Sequence, residues 1–353
     1  MTIAPRLSTG DPVPRLVLPT VGGETVDLTH QSIAGETVLL WLLRRLPRRP
    51  TFRAVEKQSK SLERLEARLY MVFSGAELSE PARDDLAVPL LRDPKGMLSE
   101  AFGLEEGFVA IDASGRLARV LPGATFDDAL SVARRLYEST APNVVERQAP
   151  VLLVPEVLEL SMCQRLIAYW EGGTKLEDRV ATTNRGNLYG LEEVKKRSDV
   201  VVSDQSLFDA VKTRLARRVI PEIHKAFQVK VTHFEALRLG CYEGAEGGYF
   251  RRHRDNRTPY TAHRQFALTL NLNAGEYEGG HLRFPEYGRG LYRPGAGGAV
   301  VFSCSLLHEA TAVTSGRRFA LFTFFYDDAG AEQERRIIES EQAAGRTGVS
   351  VGG

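Results

Sequence analysis

His253 and Asp255 stand one residue apart, and on an extended chain that spacing turns both side chains to one face. A third donor, His308, lies far downstream, just past the apolar run Val300-Val301-Phe302. Two neutral imidazoles and one carboxylate on one side of an ion form the donor set of non-haem Fe(II) sites, which leaves three coordination positions open. Those positions can take a bidentate 2-oxo acid and O2. Further on, Arg318 opens an apolar strand-like run that ends at Tyr326. A guanidinium in such a strand needs an anionic partner, and the far carboxylate of 2-oxoglutarate, gripped bidentately, would supply one. Alternation along the strand turns the neighbouring Arg317 to the opposite face, where it reads as a solvated charge.

The other histidines carry less. His30 stands alone in the first half, while His224, His233, His253, His263, His281 and His308 cluster late in the chain. His224 and His233 have no partner at ligand spacing and read as structural. His281 reads as a surface or channel residue, and His263 as near the substrate rather than on the metal. Tyr249 either lines the pocket mouth or packs. Arg251, Arg252, Arg254 and Arg257 make a local basic rim that could steer an acidic substrate. The three cysteines, Cys163, Cys241 and Cys304, include no C-x-x-C pair, which speaks against a disulfide framework or a zinc ribbon.

These residues need elements to position them. At 353 residues the chain is long enough for two domains, and with 46 basic against 45 acidic side chains its net charge of +1 gives no overall argument for nucleic acid or an anionic membrane as partner. No apolar run approaches the roughly 18–20 residues of a membrane span, and the N-terminus lacks the apolar core of a signal peptide, so a cytoplasmic protein is expected. Over residues 37–138, strand-like and helix-like segments alternate: strands at 37–43, 70–73, 108–111 and 116–121, helices at 52–69, 94–102 and 125–137, the last capped by Thr125. That order gives an α/β sandwich. Residues 141–150, with Pro142 and Pro150, read as a linker. Beyond it come a strand at 151–154, a helix at 161–170 and a long helix at 205–227 bent by Pro221. Short strands at 234–242, 266–272, 280–284, 299–302 and 319–326 then favour a double-stranded β-helix, or jelly roll. The expected boundaries are 1–140, 151–330 and a mobile tail over 331–353.

The first domain resembles the peroxiredoxin branch of the thioredoxin fold in Gly10-Asp11-Pro12-Val13-Pro14, Leu18-Pro19, the stretch from Leu90 to Gly96, Ala101-Phe102-Gly103 and Val109-Ala110-Ile111-Asp112 followed by Gly115. The family's catalytic pattern is P-x-x-x-T-x-x-C. Pro47 and Thr51 keep its spacing, but Ala54 stands at the cysteine and Glu106 at the activating arginine. Without a sulfur nucleophile the thiol chemistry cannot run, so the domain is expected to be non-catalytic, serving docking or homodimerisation.

From about Val151 to Asp328 the chain resembles 2-oxoglutarate- and Fe(II)-dependent dioxygenases of the prolyl 4-hydroxylase type. The resemblance is closest in Cys241-Tyr242-Glu243-Gly244, in Tyr249 with His253-Arg254-Asp255-Asn256, in Leu270-Asn271-Leu272-Asn273, from Tyr277 to Pro285 and from His308 to Tyr326. It implies His253, Asp255 and His308 as iron ligands, Arg318 as the 2-oxoglutarate clamp, and Tyr242 and Asn271 as further donors to that co-substrate. It also implies L-ascorbate as reductant. The expected reaction is hydroxylation of an unactivated C–H bond, foremost in a prolyl residue of a peptide or protein, with a small molecule as the alternative substrate. Two other readings are a metal-holding sensor or scaffold without turnover, and a peroxidase, against which Ala54 speaks.

Overall fold

The computed structural model describes residues 6–30, 33–47, 49–75, 88–140, 144–176 and 195–343. The chain divides into two units, Met1–Val144 and Val145–Gly353. In the first, the apolar run Thr37–Leu43 (β3) is the middle of a five-stranded sheet ordered β5-β4-β3-β6-β7, with β4 at Ala67–Phe73, β5 at Leu90–Arg92, β6 at Gly107–Ile111 and β7 at Leu117–Pro122. β4 runs parallel to both β3 and β5, while β6 is antiparallel to β3 and β7. A strand buried on both faces must be covered twice. Phe52 and Val55 of α1 (Arg49–Ser59), with Phe126, Ala129 and Val132 of α3 (Phe126–Glu138), pack against Leu39, Met71 and Phe108 on one face. Leu98 and Phe102 of α2 (Met97–Phe102), with Leu18 of the hairpin β1–β2 (Val17–Pro19, Thr25–Asp27), cover Leu40, Val72 and Val109 on the other. The expected α/β sandwich is therefore present, and Thr125 caps α3 in a capping box with Asp128.

One element differs from expectation. The helix expected over residues 52–69 stops at Ser59, because Leu65 and Leu69 obey helical spacing only by coincidence. Glu66 turns left-handed at φ 47°, and Ala67 then begins β4 in register with Thr37. Parallel pairing with a fully apolar neighbour overrides the local periodicity.

The second unit is built on a seven-stranded sheet. β8 (Val151–Val154), β17 (Ala299–Ser303), β13 (Phe266–Asn271), β20 (Arg317–Tyr326), β11 (Arg238–Glu243) and β9 (Ser198–Val201) follow in that order, and β10 (His233–Phe234) pairs with β20. A four-stranded sheet, β12-β18-β15-β16, comprises Phe250–His253, His308–Ala310, Leu282–Arg283 and Leu291–Tyr292, and β14 (Glu278–Gly279) pairs with β19 (Val313–Ser315). Strand alternation divides the large sheet's two jobs. Leu239, Cys241, Leu268, Leu270, Val301, Phe319, Leu321 and Phe325 face a helical layer made by Leu166 and Trp170 of α4 (Leu160–Gly172), Val211 and Leu215 of α5 (Gln205–Arg218), and Ile223 of α6 (Ile220–Phe227). Arg238, Tyr242, Ala267, Thr269, Phe302, Arg318, Phe322 and Phe324 face the other way, into a cavity whose opposite wall carries His253, Leu282, His308 and Ala310 of the small sheet. Two antiparallel sheets around such a space make the expected jelly roll.

The long helix expected over 205–227 is two helices. Asp204 caps α5 by accepting from the Leu207 N–H, and the chain breaks at Val219, where Pro221 falls in the first turn of α6 rather than inside one continuous helix. The tail expected to be mobile from residue 331 instead starts as α7 (Asp328–Ala343). Glu334 accepts from the Tyr326 hydroxyl at 2.9 Å, and Glu332 pairs with Arg335 and Arg336 along the helix, so side-chain bonds supply what the missing apolar periodicity did not. Residues 344–353 and 141–143 lie outside the described residues.

Because β20 carries the cavity on one face and the helical core on the other, truncating its core face should loosen both. Leu321, fully buried against the helices, is expected to cost about 2–5 kcal/mol on replacement by alanine. Urea unfolding of Leu321→Ala against the parent checks this, and an unchanged midpoint would contradict the packing described.

Candidate active site

β12 and β18 pair so that His253 lies directly opposite His308, with a register shift between Phe250 and His253. That cross-strand pair brings the two rings to 4.2 Å between centroids. Asp255, just past β12, is held by its own N–H, which donates to the Cys304 carbonyl at 3.0 Å. Its carboxylate reaches both imidazoles, with His253 Nε2 at 3.3 Å from Oδ1 and His308 Nε2 at 3.4 Å from Oδ2. The donor atoms of the three residues all lie within 4.8 Å of one another. Each imidazole is oriented from behind: Nδ1 of His253 bonds to the Arg251 carbonyl at 2.7 Å and Nδ1 of His308 to the Leu306 carbonyl at 3.0 Å. A carbonyl accepts only, so Nδ1 carries the proton and Nε2 is left with a lone pair facing the cluster.

Electrostatics agree with this arrangement. Burial opposes the charge on Asp255, but the His308 and His253 rings outweigh it and hold its carboxyl at about 2. Burial pushes His308 down to about 4 against the pull of Asp255. An ionised carboxylate beside a neutral buried imidazole is ready to ligate a cation without first losing a proton. Phe250 stacks on His253 at 3.7 Å, and Phe302 meets His308 edge-on at 4.6 Å, so apolar rings border the cluster on both sides.

Arg318 enters the same cavity from β20, opposite Tyr242 on β11. Only 2% of it is exposed. Its Nη2 donates to Asn271 Oδ1 at 3.2 Å, and its carbon-centred charge stands 5.0 Å from the Tyr242 ring centroid. Among the described residues its buried Nε has no hydrogen-bond partner and its charge no carboxylate. A guanidinium so placed in the wall of a cavity of about 240 Å³ invites an anionic partner. The donor set and this orphaned N–H fit an Fe(II) ion together with a 2-oxo diacid.

Residues 237–326 match the model of the 2OG-Fe(II) oxygenase superfamily. A PKHD-type hydroxylase of Saccharophagus degradans is 28% identical over 197 residues, which is 54% of this chain and 81% of that protein. The protein is a 2-oxoglutarate-dependent dioxygenase. A second PKHD-type hydroxylase, from a Psychrobacter species, is 38% identical over 74 residues, 20% of this chain and 29% of its own. Among solved structures, a Pseudomonas putida prolyl-4-hydroxylase is similar at a TM-score of 0.37 and 18% identity, over 51% of this chain and 94% of its own. A Trichoplax adhaerens prolyl hydroxylase in complex with a hypoxia inducible factor peptide gives a TM-score of 0.40 at 15% identity, over 54% and 87%.

Several residues named from the dioxygenase's sequence take other positions. Asn271 does not offer its amide N–H to the cavity; Nδ2 donates to the Pro294 carbonyl at 3.0 Å, and Oδ1 receives Arg318. It positions the guanidinium, because a donor such as Arg318 selects the amide oxygen. His263 is fully buried and bonded to Glu235 at 3.0 Å, away from the cavity wall, while its neighbour Arg264 lines that wall. His281 is half-buried beside Arg318 and Arg293, and burial together with those charges lowers its pKa. His233 stacks on Tyr326. Arg317 is exposed and pairs with Glu171, as alternation required. Of the expected basic rim, Arg254 and Arg257 line the cavity.

Sequence reasoning missed the dioxygenase's most charged wall. Asp199 on β9 accepts two bonds from Arg197, at 2.6 and 2.7 Å, and a third from Lys195 at 3.2 Å. Arg197 in turn donates to the Tyr242 hydroxyl at 3.2 Å and lies over Phe322. The pair fits only because residue 240 is glycine: a Cβ there would meet Arg197 at 2.7 Å and Asp199 at 2.8 Å. Burial would raise the Asp199 pKa, but Arg197 and Lys195 outweigh it and hold it below the ordinary range. Asp199→Asn would leave these cations buried without their counter-charge, an expected cost of about 3–5 kcal/mol. Because the folded pKa is depressed, the contribution is full above the unfolded value near pH 4 and disappears as pH falls through the folded one. Chemical denaturation of both proteins at neutral and acid pH should show the gap between them closing in acid.

Proposed function

We propose that the protein hydroxylates an unactivated C–H bond in a peptide or protein, with a prolyl residue as the leading target. The observation that carries this reading is the partnerless Nε of Arg318 in the cavity onto which His253, Asp255 and His308 converge. His253, Asp255 and His308 would hold iron, and Arg318 would take the distal carboxylate of 2-oxoglutarate. The Tyr242 hydroxyl accepts from Arg197 and keeps its own proton to donate to the same co-substrate. Iron so bound supplies O2 activation coupled to decarboxylation of 2-oxoglutarate, yielding succinate, CO2 and a hydroxylated product. The protein's part is positional. The Nδ1 bonds fix both imidazoles, Asn271 braces Arg318, and Phe250, Phe302 and Phe322 keep the reacting space dry.

Hydroxylation is supported by the PKHD-type hydroxylases named above, and the prolyl target by the sequence resemblance. L-ascorbate would return iron to the ferrous state after uncoupled cycles. The N-terminal unit we read as redoxin-like and without thiol chemistry, serving docking or self-association. Ala54 lies exposed on α1 where that chemistry would need a thiolate, and Glu106 accepts from the Arg44 N–H at 3.2 Å. All three cysteines are buried in the other unit.

Purified protein with Fe(II), ascorbate and 2-oxoglutarate should form succinate, and His253→Ala or Asp255→Ala should abolish it. Arg318→Gln should retain metal binding while raising the KM for 2-oxoglutarate roughly ten- to a hundredfold, the worth of a charge-assisted hydrogen-bond pair. Full turnover in Asp255→Ala would refute the assignment of the triad. Mass spectrometry of lysate peptides gaining one oxygen atom with the parent but not with Asp255→Ala identifies the target.

A further inference from the structure

Arg238 faces the cavity from β11, four residues before Tyr242 and thus on the same face of the strand. A rise of about 3.4 Å per residue places it roughly 13–14 Å along the strand from the Tyr242–Arg318 pair. One five-carbon diacid that must also reach the metal cannot occupy both guanidinium groups, so Arg238 is left for something else. Its side chain is 15% exposed, and its one described ion pair is a long contact of 3.9 Å to Asp199 Oδ2. Asp199 is already engaged by Arg197 and Lys195. The next carboxylate along the wall, Glu235, is engaged by His263 and by Arg264, whose Nη2 donates to it at 2.8 Å. Among the described residues of this wall, Lys195, Arg197, Arg238 and Arg264 therefore face two carboxylates, and Arg238 is the member that donates no described hydrogen bond to either. Burial, with Arg197 and Arg264 nearby, pulls its pKa below the usual arginine range, which measures how poorly its charge is compensated.

We infer that Arg238 is a substrate-recognition residue, and that the substrate of this dioxygenase carries a carboxylate which docks on Arg238 while the neighbouring C–H bond faces the metal. The inference rests on the oxygenase reading above and narrows it to an acidic peptide. The Arg197–Asp199 pair beside it shows the geometry in question, since a carboxylate there takes two parallel N–H bonds from one guanidinium. Arg254, which also lines the cavity, is paired with Glu286, while the exposed Arg257 carries charge of the sign that would draw such a substrate in.

The test is calorimetric binding to full-length protein, held anaerobic with Fe(II) and 2-oxoglutarate so that no turnover intervenes. The probes are blocked prolyl peptides in which a single Glu replaces Gln at each position flanking the proline, with one further peptide ending in a free carboxylate. At least one acidic peptide should bind roughly tenfold or more tightly than its all-Gln parent. Arg238→Gln should erase that preference while binding the all-Gln peptide as before, and Arg238→Lys should keep part of it; thermal unfolding of both variants certifies their folding. Which peptide gains separates a side-chain carboxylate from a chain terminus. Equal binding of acidic and neutral peptides, absent binding included, overturns the proposal, as does a preference that survives in Arg238→Gln. Succinate formation by the same parent preparation decides the oxygenase reading separately, so intact turnover without an acidic preference removes the Arg238 site alone.

Discussion

Antiparallel register is the constraint on which the site depends. His253 meets His308 because β12 pairs with β18, and Arg318 meets Tyr242 because β20 pairs with β11. A slip of one residue in β20 would send Arg318 into the helical core and Phe319 into the cavity, since side chains alternate with a period of two. The helical layer makes such a slip costly. Phe319, Leu321 and Phe325 are each buried among the side chains of α4, α5 and α6, and Trp170 meets Phe319 edge-on at 5.2 Å. The greasy face of the sheet, which touches no substrate, thereby fixes which residues the other face presents.

What that other face presents is charge in excess. Buried cations normally arrive with their counter-ions, yet among the described residues Arg318 has none and Arg238 has a share of one. The remaining cations of the wall are carefully held: Arg197 by Asp199, Arg264 by Glu235. The contrast within a single cavity is informative. Among the described residues this cavity neutralises two guanidinium groups with well-placed carboxylates and leaves two others short.

The convergence of His253, Asp255, His308 and Arg318 was legible in the sequence. A histidine and a carboxylate at strand spacing, a distant second histidine and an arginine in an apolar strand are rare residue types in places where burial demands a reason. Arg238, between Leu237 and Leu239, carried the same signal as Arg318 and went unread because it stands in no motif. The Asp199 cluster could not be read at all: it exists through the pairing of β9 with β11 and through Gly240, neither of which leaves a local pattern. Asn271 braces Arg318 instead of turning its amide N–H into the cavity, and which end of its amide faces inward depends on Arg318 across the strand pair. The errors in helix limits have the same origin. Apolar spacing misleads over residues 60–69 and 331–343, where strand pairing decides the first and polar contacts the second.

Those polar contacts lead from the C-terminal helix toward Asp255. Arg264 lies over the Phe324 ring, bonds Glu235 and reaches the backbone carbonyl of Asp255 at 3.4 Å. Glu235 also holds His263, whose Nε2 is 3.8 Å from Glu334 of α7, and Glu334 accepts from Tyr326 at the end of β20. The Asp255 backbone is therefore bounded on one side by Cys304, which accepts its N–H, and on the other by Arg264, which Glu235 holds in place. A side chain on a loop just beyond its strand has little intrinsic rigidity. At Asp255 that rigidity comes from Cys304 and from Arg264, and the C-terminal helix is joined to the same network at its edge, where Glu334 accepts from the Tyr326 hydroxyl and approaches His263.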